Sequence, residues 1–202
     1  YRYSKITSLE EIPINQVNSD RFTQLRRGLV AHATTEESLP NILSEGLKPR
    51  QEHHCRIWDD ERIPYRIEKE GRVSEILGCR NEHVYFWDDV REVTGQSLAT
   101  VGYLKEGNPA IVIAELNQKS LLPDPEIDNS EEEPQAFMHK GKISHKKNVC
   151  FCVLSKDVKP DVGRLMCSAM HNKDECELST EDLWEQLSEP SNWVCFCKKD
   201  KI

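Results

Sequence analysis

The turn Gly107-Asn108-Pro109 runs directly into Ala110-Ile111-Val112-Ile113-Ala114, an unbroken apolar stretch. A strand without polar alternates is buried on both faces, so this one belongs at the centre of a sheet with neighbours on each side. The rest of the chain supplies such neighbours. Gly28-Leu29-Val30-Ala31-His32-Ala33 is a short apolar run, and His83-Val84-Tyr85-Phe86-Trp87 has the aromatic and branched content of a strand. Val149 to Leu154, Gln135 to His139 and Trp193 to Cys197 read as further strands.

Helical signals lie between these runs. After the first, Thr35 offers a cap and Glu36 and Glu37 suit the positive end of a helix dipole. Leu39, Ile42 and Leu43 share one side of that helix, Gly46 is its left-handed stop, Leu47 folds back and Pro49 prevents continuation. A second helix starts at Asp88 or Asp89, with Val90, Val93, Leu98, Val101 and Leu104 at helical spacing. Thr7-Ser8-Leu9-Glu10 offers a further helix start that Pro13 stops within two turns, and residues 180–188 read as a last helix. Residues 50–80 read as a long charged loop with a partial helix, and 117–134, with Pro123, Pro125, Pro134 and many carboxylates, as an exposed loop. The expected division is an edge segment at 1–27, a core at 28–158 and an extension at 159–202.

Charge and cysteine content narrow the function classes. The 202 residues carry 27 basic against 35 acidic side chains, a net charge of -8, so the overall basic excess of a protein that grips duplex nucleic acid is missing. Lys140, Lys142, Lys146 and Lys147 with His145 form a local basic cluster, read either as solvated charges or as contacts along a phosphate or a nucleic-acid strand. No stretch approaches the roughly 18 to 20 apolar residues that span a bilayer, so no membrane partner is expected. Eight Cys in 202 residues are too few for a small secreted disulfide scaffold, and reduced thiols in the cytoplasm are the expectation. In Cys150-Phe151-Cys152 and Cys195-Phe196-Cys197 strand alternation puts both Cys of each element on one face, where two strands could offer four thiolates to one ion. Sulfurs about 7 Å apart along a strand suit chelation poorly, so buried small hydrophobes, and no metal, are expected.

His32-Ala33-Thr34 at a strand end, the helix wording Ser38-Leu39-Pro40-Asn41-Ile42-Leu43 and the exit Gly46-Leu47-Lys48-Pro49 together resemble the N-terminal motif of ADP-ribosyltransferases. Val84-Tyr85-Phe86-Trp87-Asp88-Asp89 resembles the Tyr-bearing strand of that family, with Ala99 at a small-residue position of the next helix, and Asn108 to Glu115 resembles the apolar strand that follows. The resemblance covers about residues 28–155. It implies an α+β fold, a split and strongly bent β-sheet with flanking helices, that holds NAD as co-substrate in a cleft. It also implies that His32 bonds the adenosine ribose, Thr34 seats the same half, Tyr85 stacks on nicotinamide, and Arg50, with Arg56 as a second candidate, serves the pyrophosphate or the nicotinamide side.

The catalytic acid of the family precedes a strand, and by register that position falls on Gln135 or Ala136, whereas a shift of two or more residues brings in Glu133, beside Glu132 and Glu131. The activity implied is transfer of ADP-ribose from NAD to a protein or nucleic-acid acceptor with loss of nicotinamide. The helix wording is nearest to the DarT type of transferase from toxin–antitoxin systems, which would add an inhibitor or antitoxin partner. The alternatives are an RNA 2′-phosphotransferase-like enzyme and a module that binds NAD or ADP-ribose without turnover, the latter favoured by Gln135 in place of a carboxylate.

Overall fold

A computed structural model describes residues 9–13, 28–49, 83–89, 93, 108–123, 136–155, 157–158 and 189–198. They form one sheet of eight strands: β1 (Leu9–Pro13), β2 (Leu29–Thr35), β3 (His83–Trp87), β4 (Pro109–Glu115), β5 (Leu122–Pro123), β6 (Ala136–Lys140), β7 (Asn148–Leu154) and β8 (Trp193–Lys198). Their order across the sheet is β1-β8-β7-β4-β2-β3-β6-β5, and every pairing is antiparallel. The apolar run 110–114 lies in β4, well inside the sheet between β2 and β7, as its composition requires.

The expected split sheet with flanking helices is corrected by this architecture. The regular structure described is mostly antiparallel sheet, with one α-helix of described bounds, α1 (Leu39–Glu45), and short 3-10 turns. One reason is that the helix start expected at Thr7-Ser8-Leu9-Glu10 is overridden: Leu9–Pro13 is β1, paired along its length with β8. Backbone pairing along an open strand edge outweighs a weak local cap, and Pro13, which has no N–H, is tolerated on an edge strand. Beyond Asp89 the Val93 N–H bonds the Asp89 carbonyl at 3.2 Å, a helical i to i−4 link; the rest of that helix, like the one expected at 180–188, lies outside the described residues.

Both sheet faces are covered. One carries Ala31, Trp87, Ile111, Ile113 and the four cysteines of β7 and β8, packed with Trp193. The other carries Val30, Phe86, Val112, Phe151 and Phe196 under Leu39 of α1 and Leu47 behind it. Helix α1 follows a 3-10 turn, Glu36–Ser38, rather than starting at Thr35; the Thr35 hydroxyl meets the Ser38 hydroxyl at 3.0 Å and makes no cap to backbone. Its exit is tightly constrained. Gly46 has φ 91°, and Leu47 exchanges two backbone bonds with Ile143, at 3.0 and 2.8 Å. A Cβ at Gly46 would overlap the Ile143 carbonyl oxygen and sit 2.7 Å from the His145 nitrogen.

The two Cys-Phe-Cys elements align in register: Cys150 faces Cys197, Phe151 faces Phe196, and Cys152 faces Cys195. The expectation of four reduced thiols is overturned, because both cysteine pairs are disulfides with Cα separations of 4.1 and 4.0 Å. Side chains of directly opposed antiparallel residues are close enough to bond, which the roughly 7 Å gap within each strand does not permit. The phenylalanines between them stack on the opposite face, ring centroids 5.3 Å apart. These bonds join strands whose cysteines lie 47 and 43 residues apart in sequence, and disulfides persist where the surroundings are oxidising. No helix among the described residues is long and apolar enough to cross a membrane.

Two outcomes follow from this geometry. Gly46→Ala loses at least about 1–3 kcal/mol of stability in urea denaturation, from backbone strain before the overlap is counted; a change within a few tenths would contradict the approach of Gly46 to Ile143. Reduction lowers the unfolding free energy by up to about 4 kcal/mol, the loop-closure value for a loop of this length, the inner bond adding little because the outer one already closes the loop. Denaturation with and without dithiothreitol, beside a thiol titration of the unfolded chain, checks this, and four titratable thiols at these positions without reductant would refute the pairing.

Candidate functional site

Strand β2 is held on its two sides very differently. With β4 it pairs from Leu29 opposite Glu115 to Thr35 opposite Pro109, whereas with β3 it shares one registered position, Ala31 opposite Trp87. At the next residue a side chain makes the link instead: His32 Nδ1 lies 2.9 Å from the Tyr85 carbonyl oxygen. A carbonyl only accepts, so Nδ1 carries the hydrogen. The His32 ring leans on Phe86, centroids 5.8 Å apart and planes 57° from parallel.

Alternation then sorts the two candidate side chains. His32 shares the face of Val30 and Phe86, while Tyr85, between Val84 and Phe86, projects to the face of Trp87. Both are half-buried. The structure thus joins His32 to Tyr85 through the tyrosine backbone, and their rings leave the β2–β3 seam on opposite sides. Thr34 is 6% exposed and faces Ala110 in the β2–β4 ladder, so its hydroxyl lies in the protein interior.

Other elements fix this seam. The Glu36 N–H bonds the Asn108 carbonyl at 2.8 Å, and Asn108 Nδ2 donates to the Glu36 carboxylate at 3.3 Å, tying the end of β2 to the turn that starts β4. On the far side β3 pairs throughout with β6, Trp87 opposite Ala136 and Tyr85 opposite Met138. Ala136, one of the two positions that the register assigned to the acid, is 2% exposed and part of the core beside Trp87. Gln135, Glu133, Glu132, Glu131, Arg50 and Arg56 lie outside the described residues. Strand β6 enters the sheet at Ala136, in the row of Trp87 and Ala31.

Sequence reasoning missed the bond between His32 and the Tyr85 carbonyl, since no residue pattern reports a side chain that replaces a rung of a ladder. It also missed the cross-links of β7 and β8, although two identical Cys-x-Cys strands were a usable signal for them.

No family model and no curated protein matches the chain. Among solved structures it is similar to EcPltA, with a TM-score of 0.38 and 10% identity over 63% of this chain and 76% of that one.

The seam makes a spectroscopic prediction. A long-range proton–nitrogen spectrum of His32 near pH 8 shows the Nδ1–H tautomer, because the Tyr85 carbonyl accepts from that nitrogen. Dominance of the Nε2–H form would exclude the bond.

Proposed function

We propose that the chain is an NAD-dependent ADP-ribosyltransferase, with the β2–β3 seam as the site that orients NAD. The observation that carries this is the bond between His32 Nδ1 and the Tyr85 carbonyl at 2.9 Å, at the point where β2 and β3 stop pairing in register. It joins the two residues to which the sequence resemblance gives the NAD contacts. It also fixes the tautomer of His32, since the carbonyl accepts the hydrogen carried on Nδ1. Because the two rings leave the seam on opposite faces, a dinucleotide that meets both has to pass between β2 and β3 beyond the Ala31–Trp87 pair; the Tyr85 ring is a half-buried flat surface suited to nicotinamide.

In the proposed reaction the bond between nicotinamide nitrogen and ribose C1′ breaks, its electron pair returning to the ring so that neutral nicotinamide leaves. An acceptor nucleophile from a protein or nucleic acid bonds C1′ and gives up its proton. Orientation by His32 and Tyr85 lowers the barrier by holding the scissile bond in place, and a carboxylate near the developing positive charge on the ribose adds electrostatic stabilisation. The segment before β6 is where such an acid would come from, with Glu133 as the carboxylate candidate and Gln135 as the residue at the family position. Thr34 would support the site from within the sheet, and Arg50 would supply charge for the pyrophosphate. Gln135 favours a second reading, a module that binds NAD or ADP-ribose without turning it over.

Nicotinamide release from NAD by the purified protein tests both. A transferase releases nicotinamide, and His32→Ala and Tyr85→Ala each slow release on the order of 100-fold, the effect of losing alignment at a reacting centre, with circular dichroism unchanged. Glu133→Gln abolishes release if Glu133 is the acid, and Gln135→Glu raises it if Gln135 occupies that place. Release unaffected in both the His32 and Tyr85 variants would remove the seam from the chemistry. Calorimetric NAD binding that depends on His32, without release, would establish the binding module.

A further inference from the structure

The protein is acidic overall, yet one edge of it is not. Between β6 and β7 the chain carries Lys140, Lys142, His145, Lys146 and Lys147 with no carboxylate among residues 140–148. The fold brings further ammonium groups to the same place. The two-way backbone bond of Leu47 with Ile143 sets Lys48 beside Lys142, and Lys198 Nζ at the end of β8 donates to the Lys146 carbonyl at 3.4 Å. The 3-10 turn His145–Lys147 is moored to α1, since Asn148 Nδ2 donates to the Ile42 carbonyl at 3.3 Å. The lysines therefore stand on anchored backbone, and Lys48, Lys142, Lys146 and Lys147 are exposed.

We propose that Lys48, Lys142, Lys146, Lys147 and Lys198 form a docking strip for the phosphate backbone of a nucleic-acid strand. None of the residues assigned to the NAD site is part of the strip, and its binding is read without NAD. Glu45 pairs with Lys48; that bond, with a smaller contribution from Lys142, holds the Glu45 carboxyl below the usual carboxylate range, so it stays ionised and offsets one charge, and Glu10 on β1 lies one register position from Lys198. The remaining cations are in excess. A net charge of -8 repels a polyanion at long range, but beyond a Debye length of about 8 Å at physiological salt that repulsion is screened and the local strip dominates.

Lysine meets phosphate as a point charge without the fixed fork that arginine brings, which suits backbone contact regardless of sequence. A lipid surface fits less well, because peripheral membrane binding couples basic charge to apolar anchors. The exposed large hydrophobic among the described residues is Leu122, on the edge strand β5 beside β6, and one apolar side chain does not make the apolar face that membrane anchoring uses.

The test is fluorescence anisotropy of the full chain with labelled single-stranded RNA and DNA of one sequence, without NAD, over a salt series. Binding to either strand that weakens steeply with salt is expected. The triple variant Lys142→Glu, Lys146→Glu, Lys147→Glu binds at least about tenfold more weakly, and the slope of log affinity against log salt falls by about 2, at about 0.7 for each phosphate of a single strand that is no longer neutralised. If the charge reversals disturb circular dichroism, the same three positions changed to Gln carry the test with a smaller loss. Unchanged affinity in a folded variant would overturn the proposal. So would binding indifferent to salt, or binding to phosphatidylserine vesicles or a polyglutamate peptide with none to either oligonucleotide.

Discussion

The pairing of β2 with β4, unbroken from Leu29 opposite Glu115 to Thr35 opposite Pro109, is the constraint on which the rest of the molecule depends. Strand β4 has no polar side to give to water, so it needs a full ladder on both edges and a packed layer on both faces. Strand β2 supplies one ladder and β7 the other. Because the β4 side of β2 is saturated, the orientation of His32 is settled before any ligand arrives. Its main chain belongs to the ladder, and its ring must lie over one face.

The opposite flank of β4 is secured covalently. Strand β7 is buried along its whole length, and its partner β8 is fastened to it twice by disulfides on one face and once by the stacked Phe151 and Phe196 on the other. This cluster holds β8 in one register, and through β8 it holds β1 at the sheet edge. A slip of one residue would turn every cysteine to the phenylalanine face, so cross-links and pleat specify the same alignment. One margin of the sheet is therefore fixed, while the β2–β3 seam on the other side of β4 is held by one registered pair and a side chain.

That contrast gives the candidate site its character. A continuous ladder leaves no backbone group for a ligand, whereas a seam that ends early has room for side chains to act. The His32 ring takes the place of a ladder rung, which orients the ring over one face. The basic edge follows a related logic. Lysines are expensive to bury, so four of the strip stand exposed on a turn, a helix exit and a bridge that the core fixes from beneath.

Much of the fold was legible in the sequence because strand burial leaves a local mark. The apolar runs at 110–114 and 149–154, the aromatic run 83–87 and the Gly46 stop each lie where a one-dimensional pattern places them. The candidate residues His32, Thr34 and Tyr85 were legible too, as residue types at strand ends, but their relation was not. Which strand lies beside which, that His32 reaches a carbonyl 53 residues away, that the segment at Leu9–Pro13 joins an edge instead of coiling, and that four cysteines pair across two strands all depend on contacts between distant parts of the chain. Residue order alone sets where the main strands fall, how deeply they are buried and which chemical groups are present. Register, pairing and face belong to the tertiary structure, because they are fixed by which distant backbone groups satisfy one another when the chain closes on itself.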